Sequence, residues 1–205
     1  MTTKNSTNWL RLVAGLCGVI VPVFTIGLIL TAIALSPWFS WQDDALSDLG
    51  VSPAALVFNT ALIVGGLLNV GLALGVGQWV GNQSRRDLLL ARLGSALLLV
   101  AAVLLSLIGV FTEDIRLVHR TVAAGYFLLT PVSYLLLGTA WLWRGARVAG
   151  ILTVAAGIAA LALIALTPHH VAHGIAVPEI LAALIISCWS FSTGVILLAD
   201  SSETA

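Results

Sequence analysis

The sequence predicts an all-α polytopic membrane protein: six transmembrane helices in one antiparallel bundle, with both termini cytoplasmic. Three observations predict it. Of 205 residues, 60% are hydrophobic and only 9% are charged, whereas a soluble domain carries roughly 25% charged residues. Apolar runs of the length a bilayer demands, about 20 residues, occur six times along the chain. Between those runs the charges sort by sign, with basic and acidic connections alternating.

The runs cover residues 10–36, 54–80, 88–110, 117–143, 148–166 and 178–199. Short connections make consecutive helices antiparallel neighbours in one domain, 10–199. A short cytoplasmic N-terminus, 1–9, precedes it and a cytoplasmic tail, 200–205, follows. The first run is long and lacks a small-residue cleavage site, so it reads as a retained helix rather than a signal peptide. Lys4, Arg11, Arg85, Arg86, Arg92, Arg144 and Arg147 fall on one side, Arg116 and Arg120 on the other. Short loops rich in Lys and Arg stay cytoplasmic. The expected location is therefore the cell membrane, with the first, third and fifth connections outside. Trp9, Trp79, Trp141 and Trp143 would mark the inner interface, Trp38 and Trp41 the outer one; Trp189 falls mid-helix and should pack against a neighbour.

Cys17 and Cys188 lie inside apolar segments and read as small buried side chains rather than a disulfide. Gly65, Gly66, Gly71 and Gly75 line the second run. Gly71 and Gly75 form a GxxxG step, which suits close packing within the chain or the face of a homo-oligomer. Pro22 and Pro131 sit inside runs one and four, where each removes a backbone hydrogen bond. The formal net charge is zero and no basic run occurs, which argues against nucleic-acid binding.

The chemistry gathers on the outer side. Ionisable groups near hydrocarbon are expensive, so their collection at one mouth suggests a site. The first outer connection contains Ser47-Asp48-Leu49-Gly50. Leu46 and Leu49 would hold it against the bundle, leaving either a site role for Asp48 or an Asx-type turn closed by Gly50. Asp43 and Asp44 read as solvated. Ser52 and Pro53 read as the start of the second helix. Asn59 would lie about 9 Å inside that end, close enough to touch a ligand; Asn69 would not. The second outer connection holds Glu113, Asp114, Arg116, His119 and Arg120. Thr112 or Asp114 is suited to capping helix four. Arg116 and Arg120 share one face, and His119 points elsewhere, toward the bundle. The third holds His169, His170, His173 and Glu179. On a helix, His169 and His173 would present two imidazoles on one face, a spacing seen in metal sites.

At these residues the chain resembles the prokaryotic membrane proteins of domain-of-unknown-function family 998 (DUF998). The resemblance lies in Leu46-Ser47-Asp48-Leu49-Gly50, Phe58-Asn59, Glu113-Asp114 with His119, and Pro178-Glu179, and it implies the six-helix membrane architecture. Ser47-Asp48-Leu49-Gly50 is also similar to the Ser-Asp-x-Gly of the Frag1/DRAM membrane proteins, some linked to lipid remodelling. His169 and His173 before the last helix are similar to the zinc site of the CREST membrane hydrolases, which have seven helices where six are predicted here.

Two function classes follow. In the first, a membrane-embedded enzyme acts on a lipid-like substrate, with membrane lipids as its surroundings. Asp48, Asp114, His119 and Glu179 would be catalytic. Ser47, Asn59, Arg116 and Arg120 would bind substrate. His119, His169, His173 and Asp48 are the candidate ligands for a divalent metal such as zinc. In the second, the same pocket serves a non-enzymatic binding, sensing or transport protein.

Overall fold

The computed structural model describes residues 2–79, 85–167 and 174–202. Six long helices carry the chain: α1 (Thr2–Ala34), α2 (Ala55–Trp79), α3 (Arg85–Val110), α4 (Arg116–Trp143), α5 (Arg147–Leu166) and α6 (Ala176–Ser202). Each overlaps one of the apolar runs, and each contains a stretch long and apolar enough to cross a membrane. The chain is a multi-pass membrane protein. Two short 3₁₀ helices, Leu46–Val51 and Glu113–Ile115, stand in the connections that follow α1 and α3. Both stand at one end of the bundle, the acidic end.

Local chemistry explains the helix ends. The Ser52 carbonyl accepts from the Ala55 amide at 2.9 Å, and the Ser52 hydroxyl accepts from the Ala54 amide at 3.1 Å, so Ser52 closes the turn over Pro53 and Ala54 that leads into α2, which begins at Ala55 rather than at Pro53. Neither Thr112 nor Asp114 caps α4. Ile115 occupies its N-cap without a side-chain bond, and the Thr112 hydroxyl donates to Asp114 instead. At the far end of α4, Gly145 takes φ +85°. The Ala146 amide reaches the Trp141 carbonyl and the Gly145 amide reaches that of Leu142, each at 3.0 Å. This pair of bonds closes the helix around a left-handed glycine and redirects the chain into α5.

Each helix packs broadly on the next from α1 through α5, and α6 returns to pack on α1. The last consecutive pair departs from the expected pattern: α5 and α6 touch only thinly, because α6 is committed to α1. There Gly18 and Gly194 meet so closely that a Cβ on Gly18 would lie 2.8 Å from the Gly194 Cα. Small residues permit such backbone approach in lipid. The Gly71/Gly75 step faces α1, against Cys17 and Ala14, so it packs within the chain.

Aromatic rings bridge the remaining seam. Trp189 of α6 stacks on Tyr134 of α4 with ring centroids 4.2 Å apart and on Trp141 at 6.4 Å. Its Nε1 donates to Thr153 Oγ1 of α5 at 3.0 Å. Trp141, expected at an interface, is buried in this stack. Cys188, expected to be buried, is exposed on α6, because α5 does not cover it.

Candidate functional site at the acidic end

The Leu46–Val51 helix is the keystone of this end. Leu46, Leu49 and Gly50 are buried, so the segment lies in the mouth of the bundle with its apolar side inward. Ser47 and Asp48 stay half-buried at its rim. Four polar bonds fasten it. Asp48 Oδ2 accepts from the Ala45 amide at 2.7 Å. Glu179 Oε2, from the first turn of α6, accepts from the Leu46 amide at 2.7 Å. The Ser47 hydroxyl donates to Glu113 Oε2 at 2.9 Å. Asn59 Nδ2 of α2 donates to the Gly50 carbonyl at 3.0 Å.

Gly50 is needed for proximity, not for a turn. Gly145 is the one positive-φ glycine among the described residues. A Cβ on Gly50 would stand 2.8 Å from Asn59 Oδ1 and 3.4 Å from a Phe58 ring carbon. The expected alternative of an Asx turn closed by Gly50 gives way to a 3₁₀ turn pressed against α2. The connection before α6 is drawn onto the same platform: the Gly174 amide donates to the Gln42 carbonyl at 2.7 Å, and the Ala176 amide to that of Asp44 at 3.1 Å. Asp44 is not merely solvated, since its Oδ2 accepts from the Ser40 amide at 2.7 Å.

Acids crowd at the rim. Glu113 lies close enough to Asp48 for its charge to act on that carboxyl. Asp48 is held above its usual value, first by burial and then by the negative charge of Glu113 and Asp44, with its bond to the Ala45 amide opposing. Glu179 lies within electrostatic reach of both Asp48 and Glu113.

Behind this rim a cavity of about 90 Å³ lies between α1, α2, α3, α4 and α6. Ser47, His119 and Glu179 line it, and so do Thr25, Asn69, Tyr126 and Ser187 deeper in the bundle. Its volume accommodates several water molecules. His119 is buried, and its Nδ1 lies 2.8 Å from the Phe111 carbonyl oxygen. A carbonyl can only accept, so Nδ1 carries the proton and, in the neutral ring, Nε2 bears the lone pair. His119 is thereby oriented as a base. Deeper still, Thr25 Oγ1 is buried without a hydrogen-bond partner among the described residues. Asn69 Nδ2 donates to the Gly65 carbonyl of its own helix at 3.0 Å.

The predicted site residues divide cleanly. Ser47, Asp48, His119 and Glu179 come together. Asn59 lies against Gly50, off the cavity wall, and Asn69, which the sequence places too deep to take part, is on it. Asp114, Arg116 and Arg120 are exposed, and among the described residues no ion pair joins either arginine to Asp48 or Glu113. His169, His170 and His173 lie outside the described residues. Within the described set, no group of three His, Cys, Asp or Glu side chains is placed to hold a metal ion. Sequence reasoning missed Glu113 as a site residue in favour of its neighbour Asp114. It also missed Thr25, Tyr126 and Ser187, for which the sequence offers only polar atoms within apolar helices.

A family model described as "Protein of unknown function (DUF998)" matches residues 19–196. The chain belongs to the DUF998 family. No curated protein and no solved structure matches it. The segments that suggested DUF998 in the sequence meet in space: Leu46–Gly50 is held by Asn59, Glu113 and Glu179. In this DUF998 protein those residues thus build one structural unit, with His119 beneath it.

Proposed function

We propose that the acidic end faces outward from the cell membrane and is an acid–base site acting on a lipid-like substrate. One observation carries this reading. A histidine oriented by the Phe111 carbonyl lines the cavity that also holds Glu179 and Ser47. A base, an acid and room for water are the components of general acid–base hydrolysis.

The step balances as follows. His119 Nε2 takes a proton from a water molecule in the cavity. The water oxygen bonds to the ester carbon or phosphorus of the substrate, and the bond to the leaving oxygen breaks. Glu179, which lines the same cavity, supplies from its acid form a proton to that leaving oxygen, and the His119 proton later returns to Glu179. Ser47, tied to Glu113, borders the same water. Asp114, Arg116 and Arg120 stand outside the cavity, where the arginines are free to meet anionic head groups.

The test uses purified protein in vesicles of mixed membrane lipids, in water enriched in oxygen-18. Label should enter a lipid product with the wild type and not with His119→Gln. Unlabelled, unchanged lipids with the wild type would refute hydrolysis. A second reading, a non-enzymatic proton or cation sensor, is favoured by one observation: three carboxyls meet with no arginine paired to Asp48 or Glu113 among the described residues. It predicts ion binding that Glu179→Gln weakens, with no lipid turnover.

A further inference from the structure

Deeper than His119, the cavity behind the acidic rim is lined by neutral polar groups from four helices: Thr25 of α1, Asn69 of α2, Tyr126 of α4 and Ser187 of α6. Thr25 lies nine residues from the end of α1, Tyr126 ten from the start of α4 and Ser187 eleven from the start of α6. At 1.5 Å per residue these depths are about 14–17 Å, half of the roughly 30 Å hydrocarbon core. Asn69, fourteen residues into α2, stands about one turn deeper. Each of the four keeps only 7–9% of its surface exposed. Thr25 Oγ1 has no hydrogen-bond partner among the described residues. It lies over Gly65, where a Cβ would stand 2.5 Å from it. The Gly65 carbonyl accepts from Asn69 Nδ2 at 3.0 Å, which spends an amide proton and leaves Asn69 Oδ1 in need of a donor.

We propose that this inner compartment binds a small cluster of water molecules at mid-membrane depth, and that the cluster supplies the water which His119 activates. Polar groups buried at such depth are costly unless they are hydrogen-bonded. Four of them around one space form a built site, and their chemistry selects the occupant. The hydroxyls of Thr25, Tyr126 and Ser187 each bring a proton to donate, while Asn69 Oδ1 only accepts. Water answers both needs. A cation would satisfy the oxygens and leave the hydroxyl protons without an acceptor. Nor does this inner wall carry a charge to offset one: Glu179 stands in the first turn of α6, about two turns nearer the mouth than Ser187. A hydrocarbon chain would leave all four groups unpaired. The whole cavity, about 90 Å³, is several times the roughly 10–15 Å³ that one water molecule requires. Leu46 and Ser47 line its outer end, so the 3₁₀ segment stands between the cluster and bulk water. The water site rests on this geometry alone. Its role as the source of the hydrolytic water rests on the acid–base reading.

The test irradiates the full chain with X-rays in lipid nanodiscs, where hydroxyl radicals formed from bound water oxidise the side chains beside it. Tyr126 should be oxidised despite its burial. Tyr134, fully buried two turns along the same helix, does not line the cavity and should stay unmodified. Trp38, exposed at the acidic end, reports the radical dose. Thr25→Val combined with Ser187→Ala removes two hydroxyls with little change of volume. It should abolish most of the Tyr126 oxidation and leave that of Trp38 unchanged; Ser187→Ala alone should abolish part of it. Tyr126 as unreactive as Tyr134 in the wild type, or oxidation insensitive to both variants, would overturn the proposal. So would oxidation of Tyr126 that falls when sodium or potassium chloride replaces choline chloride, the mark of a cation in place of water. Lipid turnover in the same nanodiscs separates the two ideas. Tyr126 oxidation without any turnover by the wild type sinks the acid–base reading alone. Turnover without Tyr126 oxidation sinks the water site alone. Wild-type turnover in a double variant that has lost the oxidation removes the supply role.

Discussion

The bundle is closed in two places by different forces. At the acidic end, a buried 3₁₀ segment is fastened by Glu179 and Glu113, from elements distant in sequence, and by Asn59 of the helix that follows it. At the α5–α6 seam, Trp189 stacks on Tyr134 and on Trp141 and makes one bond to Thr153. The first closure contains carboxyls, which titrate in the acidic range; the second contains none. Protonation should therefore act on the mouth and leave the seam alone, while loss of packing should act on the seam and leave the chemistry of the mouth intact.

The comparison can be broken from either side. The largest effect on stability belongs to the seam: Trp189→Ala should cost about 3–5 kcal/mol, read by thermal unfolding in detergent, and an unchanged melting temperature would remove the seam from the account. At the mouth, Glu179→Ala leaves the buried Leu46 amide without its acceptor and should cost about 1–3 kcal/mol, with Glu179→Gln recovering most of it. Gly50→Ala forces a Cβ onto Asn59 Oδ1 and should cost about 1–3 kcal/mol. In an Asn59→Ala background that cost should shrink, since the colliding atom is gone and contacting residues are not additive. Additivity of the two substitutions would show that Asn59 does not press on Gly50.

The smallest effect is a pH dependence. Asp48 is held above its usual value, so between the unfolded and folded values the native protein keeps a proton that the unfolded chain has released. Stability from this group is then full below the ordinary carboxylate range and declines as pH rises through the raised value. Asp48→Asn should flatten that decline, while Trp189→Phe should leave it as in the wild type. A slope that survives Asp48→Asn would assign the dependence to another group.

Much of this was readable from the sequence, and the rest was hidden for physical reasons. The six spans are legible because crossing hydrocarbon demands continuous apolar length. Ser47, Asp48, His119 and Glu179 are legible because each lies within a turn or two of the same membrane face. The choice between Glu113 and Asp114 is not, since it depends on whether Thr112 turns Asp114 outward by bonding to it. The depth of the cavity at Thr25 and Asn69 depends on how five helices pack, and the gap beside α5 on α6 preferring α1 through Gly18 and Gly194. Hydropathy carries neither kind of information, and it likewise marks Trp141 as interfacial when a stacking partner draws it inside.

The acid–base assignment at the mouth is tested most directly by the rate of lipid turnover in His119→Gln against Trp189→Phe, measured in the same vesicles. Loss of a positioned base should slow His119→Gln by about 10²–10⁴-fold in protein that still unfolds cooperatively, while Trp189→Phe turns over at the wild-type rate. Equal rates in His119→Gln and the wild type would contradict the account.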